Sequence, residues 1–192
     1  MRQAIVLAAI LLVVLVAYTL TPKPETLLQP SNVPQFVIED AQKAYGTDAT
    51  YQVLRSAQKD GKWEVDLKIA LAPHSKCPKL LARTYTFPPL YYREDVVNDQ
   101  CRWPVLIAYD EEAILATLKL QKVQRLPESA KAYATTYSAQ QLAALQECMS
   151  CSNVQKFAQQ LPAAEVWIVE WQNGQDSFFV AVDKNGDLVA NT

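Results

Sequence analysis

The stretch Lys59-Asp60-Gly61-Lys62-Trp63-Glu64-Val65-Asp66-Leu67-Lys68-Ile69 decides the fold class. Trp63, Val65, Leu67 and Ile69 alternate with Glu64, Asp66 and Lys68, a period of two with one apolar and one wet face. Asp60-Gly61 supplies the positive φ that a tight hairpin requires, so this strand pairs backwards with the segment Thr50 to Ala57. An antiparallel sheet is therefore expected, and the flanking segments are read against it.

Upstream, Phe36, Val37, Ala41, Ala44 and Tyr45 share one helical face, with Asn32 placed to cap, Pro34 in the first turn and Gly46 as terminator. Downstream, Leu80 to Phe87 and Val105 to Tyr109 read as further strands, separated by Pro88-Pro89 and a polar stretch. After Asp110 the pattern turns helical. Asp110 is expected to cap, Glu111 and Glu112 to sit in the dipole-favoured first turn, and Ile114, Leu115 and Leu118 to form the apolar stripe. Ser138 with Gln141 makes a capping box ahead of Leu142 and Leu145, and Ser152 or Asn153 opens a short helix bearing Val154, Phe157 and Leu161. Glu165 to Trp171 and Ser177 to Asp183 form a hairpin across Gln172-Asn173-Gly174-Gln175, and the run Val166 to Val169, apolar on both faces, belongs inside a sheet. Asn32 to Ala70 and Asn153 to Val189 echo each other as helix, strand, hairpin, strand. The expected fold class is α+β: an N-terminal transmembrane helix, then an antiparallel sheet packed with helices, with room for two α-β-β units.

The chain of 192 residues carries 18 basic and 20 acidic side chains, a net charge of −2, which bounds it to about one folded domain. With no basic excess, a nucleic acid partner is disfavoured. Four glycines and a single histidine leave little material for phosphate-cradling loops or histidine-rich metal sites.

From Ala4 to Leu20 every residue except Thr19 is apolar, a length that suits a membrane span better than a cleavable signal. No small-x-small cleavage site follows, so a retained anchor over residues 1–22 is expected, with membrane lipid as the partner of residues 4–20. Residues 23–31 then form a proline-rich linker and 32–192 the folded domain. Arg2 ahead of the helix, against Lys23 and Glu25 after it, places the N-terminus inside and the domain extracytoplasmic, a single pass in the cell membrane.

Cys77, Cys101, Cys148 and Cys151 are an even set, read as disulfide-forming. Pairing Cys77 with Cys101 and Cys148 with Cys151 is the most economical choice, and two other connectivities stay open. Cys148-Met-Ser-Cys151 also admits thiol–disulfide exchange, yet it closes one helix and precedes another instead of opening one, which favours a structural clip. The spacing does not write a zinc ribbon. Asp183-Lys-Asn185-Gly-Asp187 has its glycine two places too early for a calcium loop and reads as a bend. His74, in a proline-flanked loop, has no nucleophile assigned to it by spacing. Tyr85, Phe87, Tyr91 and Tyr92, clustered around Pro88-Pro89, are the candidate recognition surface.

The stretch Glu165-Val-Trp-Ile-Val-Glu-Trp-Gln-Asn-Gly-Gln-Asp-Ser-Phe-Phe-Val-Ala-Val-Asp-Lys-Asn-Gly-Asp187, preceded by a short helix, resembles the PepSY and cystatin-like α+β modules found outside cell membranes. Cys77-Pro78 through Cys101, followed by Ile107 to Ala113, is similar to uncharacterised membrane-anchored proteins of small-genome archaea. The first resemblance implies a fold. The protease-inhibitory or regulatory role proposed for the PepSY group does not transfer, since no matching inhibitory loop is present. The functional expectation is a membrane-anchored, extracytoplasmic, non-catalytic module with a protein or peptide partner outside the cell and no cofactor. The alternatives are a tethered thiol–disulfide exchanger using the Cys148/Cys151 pair, or a structural subunit of a surface assembly.

Overall fold

Helix α1 (Val33–Tyr45) leads into a meander of four strands, β1 (Thr50–Lys59), β2 (Lys62–Leu71), β3 (Lys79–Phe87) and β4 (Tyr91–Asn98), all antiparallel and adjacent in chain order. This is a computed structural model, and it describes residues 32–102, 104, 106–147 and 152–192. The β1–β2 turn is the one the sequence dictates: Lys59 pairs with Lys62, and Asp60 and Gly61 hold φ of +50 and +74 between them. Trp63, Val65, Leu67 and Ile69 are buried, and their partners across the ladder are Phe87, Tyr85, Arg83 and Leu81. Directly opposed residues share a face. That face meets α1, because the Phe36 and Phe87 rings lie 5.2 Å apart and Tyr85 donates to Asp40.

The second half is built differently. Helix α2 (Asp110–Ala116), a short 3-10 turn (Thr117–Lys119) and helix α3 (Gln121–Gln124) come first, then strand β5 (Lys131–Tyr137). Helices α4 (Ala139–Gln146) and α5 (Asn153–Ala158) follow, then β6 (Val166–Asn173), β7 (Asp176–Val182) and β8 (Leu188–Asn191). These strands form a second four-stranded sheet in the order β5-β6-β7-β8. Both of its faces are covered. Ile114, Leu115, Leu118 and Val123 pack with Ala132, Val169, Trp171 and Val180 on one side, and Leu142, Phe157 and Leu161 pack with Val166, Ile168 and Phe179 on the other. The two-sided apolar run Val166 to Val169 is thus an inner strand with helices above and below. Trp171 is fully buried, and its Nε1 donates to Thr117 Oγ1 at 3.0 Å, while that hydroxyl donates to Ile114 O at 2.6 Å.

The expected fold class needs correcting. In place of one antiparallel sheet packed with helices, the described residues form two four-stranded antiparallel sheets with short helices. Among the described residues no helix is long and apolar enough to cross a membrane, so single-pass placement in the cell membrane with an extracytoplasmic domain is not supported. The run 4–20 and the linker 23–31 lie outside the described residues. The echoed order of helix, strand, hairpin, strand is present twice, as α1-β1-β2 and α5-β6-β7, but the two units sit differently in their sheets. The Asp-Gly hairpin joins the edge strand β1 to β2, whereas the Asn-Gly hairpin joins two inner strands, β6 and β7. In that second hairpin Asn173 pairs with Asp176, so Gly174, at φ +65, and Gln175 are the loop.

Smaller corrections have local causes. The fourth strand of the first sheet is Tyr91–Asn98 and not Val105–Tyr109; Ile107 instead donates its N–H to Lys184 O at 2.8 Å. Tyr109, not Asp110, is the N-cap of α2, because Glu112 Oε2 accepts from the backbone N–H groups of Ala108 at 2.7 Å and Tyr109 at 3.1 Å. Cys77 and Cys101 are disulfide-bonded with Cα atoms 5.1 Å apart, tying the β2–β3 loop to the segment after β4. Cys148 and Cys151 lie outside the described residues, and the exchange reading of that pair lies there with them.

Candidate functional site: a cleft between two sheets

The face of the first sheet turned away from α1 was expected to be wet. At one point it is not. Lys68 is 5% exposed, and its ammonium donates to Glu111 Oε2 at 2.8 Å and Asp110 Oδ1 at 3.1 Å, with the Tyr109 ring centroid 4.8 Å away. Glu111 is itself buried. Helix α2 of the second half therefore bears on β2 of the first through a buried ion pair, and Ala70 and Leu80, opposed residues on the same face, are buried beside it.

The electrostatics follow from burial and from the unequal count of charges. Burial pushes Lys68 towards its neutral form, but Glu111 and Asp110 outweigh it and the ammonium pKa is raised. For Glu111 burial dominates, aided by the neighbouring Asp110 charge and opposed by Lys68, so its pKa rises. Burial opposes ionisation of Asp110 too, yet Glu111 and Lys68 outweigh it and that pKa falls. The two adjacent carboxyls are thus driven apart, with Asp110 the more firmly ionised.

Beside this pair opens a cleft of about 310 Å³. Thr50, Gln52 and Lys68 line it from the first sheet, Pro73 and His74 from the β2–β3 loop, Asp110, Glu111 and Ile114 from α2, and Tyr133, Ala134 and Thr135 from β5. Both β1 and β5 are edge strands, so the free edges of two sheets border one cavity. The β2–β3 loop touches the β5 edge at one residue. Ala132 N–H donates to His74 O at 2.9 Å, His74 Nδ1 lies 3.2 Å from Ala132 O, and the His74 and Tyr133 rings are 4.5 Å apart. Lys76 extends the contact by donating to Gln124 O and Leu126 O.

The parity of β5 follows from that bond. In an antiparallel ladder alternate residues turn both backbone groups to the same side. Since Ala132 turns away from β6, so do Ala134 and Thr136, while Tyr133 and Thr135 bond across to Glu170 and Ile168. Among the described residues nothing bonds the outward N–H and C=O groups of Ala134 and Thr136.

The aromatic residues singled out in the sequence separate into two kinds. Tyr85 and Phe87 are buried against α1 and cannot meet a partner; Tyr91 and Tyr92 are exposed on β4. Sequence spacing missed the reason. Arg83, 3% exposed, donates twice to Glu94 Oε2, at 2.9 and 2.7 Å, and once to Tyr85 OH at 2.9 Å, while Tyr85 donates to Asp40 Oδ2 at 3.0 Å. The Tyr92 ring lies over the guanidinium, 4.1 Å from its centroid. Elsewhere, Asp183 Oδ1 accepts from the N–H groups of Asn185 and Asp187, which accounts for the carboxylate-rich bend without a cation. No cluster able to hold a metal is found among the described residues.

The buried tyrosine carries a pH signature. Burial pushes the Tyr85 hydroxyl up to about 12 from 10.0, against the opposing effect of Arg83 and with support from Asp40. A pKa raised by folding gives stability that is complete below pH 10 and lost as pH climbs towards 12, because the unfolded chain releases the proton first. About 2–3 kcal/mol should disappear across that window, at roughly 1.4 kcal/mol per pH unit. Urea unfolding at successive pH values, with tyrosinate absorbance followed in parallel, checks this; a flat stability from pH 10 to 12 contradicts it.

No family model, curated relative or solved structure matches the chain. The functional reading therefore rests on the cleft itself.

Proposed function

We propose that this protein is a non-catalytic binding module that takes an extended peptide segment by strand addition to the β5 edge, inside the cleft between its two sheets. The observation that carries the reading is the His74 contact. The chain's own loop already makes a strand-type main-chain bond to this edge at Ala132, and of the next outward positions, unpaired among the described residues, Ala134 lines the cleft and Thr136 follows it along the same edge. Main-chain bonds supply affinity in this mode, and the lining side chains supply selectivity. Two carboxylates against one ammonium leave one negative charge in excess, so a segment bearing a lysine or arginine fits best. The Tyr133 ring offers the apolar contact.

Proline tests the mode selectively, since it is tolerated on an edge where the lost N–H served no ladder bond. A random dodecapeptide phage library panned on the full chain yields the probe, whose affinity is then measured by fluorescence anisotropy. Ala134→Pro and Thr136→Pro are each expected to weaken that peptide about 10-fold or more, as loss of a main-chain bond and a new clash imply, with melting temperatures near that of the wild type. Selection of no peptide, or equal binding by both proline variants, would overturn the reading.

A further inference from the structure

Strand β4 closes the other end of the first sheet, and it carries exposed apolar side chains on both sides of the charged run Arg93-Glu94-Asp95. Tyr91, Tyr92, Val96 and Val97 are 65%, 46%, 54% and 50% exposed, on an edge with no proline or lysine in it. Natural sheets blunt such edges with proline, charges or bulges, or pair them; here the charges are of both signs and can pair across a two-fold axis. The central sequence of this strand, Tyr92-Arg93-Glu94-Asp95-Val96, is complementary to itself when reversed about Glu94.

We propose that β4 pairs antiparallel with β4 of a second copy of this chain about a two-fold axis at Glu94, joining two four-stranded sheets into one of eight strands. A two-fold interface presents the same patch on both subunits, so residue i meets j and j meets i. In this register Arg93 of each copy stands opposite Asp95 of the other, and Tyr92 stands opposite Val96. These are an opposite-charge pair and an aromatic–β-branched pair, both favourable across a ladder, and each occurs twice. Within one chain Arg93 and Asp95 already lie on one face, joined at 2.7 Å, so both are placed to exchange partners. The central Glu94 pair does not repel as bare charges would, because each Glu94 is held by Arg83 and by Tyr45 within its own copy. The regular part of β4 ends at the irregularity opposite Leu80 and Leu81, which limits the pairing to this segment.

The interface is tested by charge reversal on the full chain, read by light scattering after size exclusion. Arg93 and Asp95 side chains are 72% and 56% exposed, so neither substitution disturbs the core. The wild type is expected to be a dimer. Arg93→Asp and Asp95→Arg each place like charges opposite one another twice, and each should weaken dimerisation about 100-fold or more. Mixing the two variants restores opposite charges in both pairs and should return a one-to-one dimer, as should the swapped double variant with itself. A monomeric wild type, a dimer indifferent to both reversals, or a mixture that stays monomeric would each refute the proposal.

Discussion

Replacing Lys68 with methionine is expected to lower the unfolding free energy by about 3–5 kcal/mol, although the substitution adds apolar character to a buried site. The cause is what it leaves behind. Glu111 is 2% exposed and is paired by the ammonium 2.8 Å away; without it the carboxyl must be buried either protonated or as an unpaired charge in a low-dielectric surround. Removing both partners separates the cost of the orphan from the worth of the pair. Lys68→Met with Glu111→Leu should recover most of the loss, since well-packed apolar replacements of a buried pair are often neutral or better. Urea unfolding of the two single variants and the double gives the coupling energy directly. A single variant within about 1 kcal/mol of the wild type, the range of an exposed pair, would show that Lys68 is not sealed between β2 and α2.

Truncating Trp171 to alanine should cost about 3–5 kcal/mol, the range for deleting a large buried aromatic. It is fully buried on β6, packed against the layer of α2 and α3, and its indole N–H is satisfied by Thr117. Two losses are combined in that number, and phenylalanine divides them. Trp171→Phe keeps most of the packing but leaves Thr117 without its donor, so a smaller loss of about 1–3 kcal/mol is expected. Pairing it with Thr117→Val should give less than the sum of the two single effects. Equal losses for the alanine and phenylalanine variants would mean that the hydrogen bond and not the packing holds this side of the second sheet.

What the sequence disclosed about the fold was local. Asp60-Gly61 places the β1–β2 hairpin because the positive φ values are a property of those two residues, and the Ser138–Gln141 capping box starts α4 through bonds spanning three positions. Strand β4 was illegible because an edge strand exposed on both faces shows no alternation; its residues pass for a polar stretch. Strand β5, with its Ala-Tyr-Ala-Thr-Thr core, carries too little apolar weight to register beside the helices that flank it.

The site was less legible than the fold, for a reason of distance. Lys68 reads as one more charge on a wet strand face, and Asp110 and Glu111 read as helix-start residues; the bond joining them crosses 43 positions. Tyr85 and Phe87 look like surface aromatics next to Pro88-Pro89, and become core only when α1 brings Asp40 and Phe36 onto the same face. His74 was visible as a lone histidine in a loop. That its backbone carbonyl meets the edge of a strand 58 residues later depends on how the two sheets assemble.

Amide hydrogen exchange resolved by residue along β5 tests the account most directly. In the free protein the amides of Ala132, Tyr133 and Thr135 should be protected, while those of Ala134 and Thr136 exchange as solvent-facing groups. With the selected peptide bound, Ala134 and Thr136 should become protected as their N–H groups enter a new ladder. A peptide that binds and leaves both amides exchanging at their free rates would contradict strand addition at this edge.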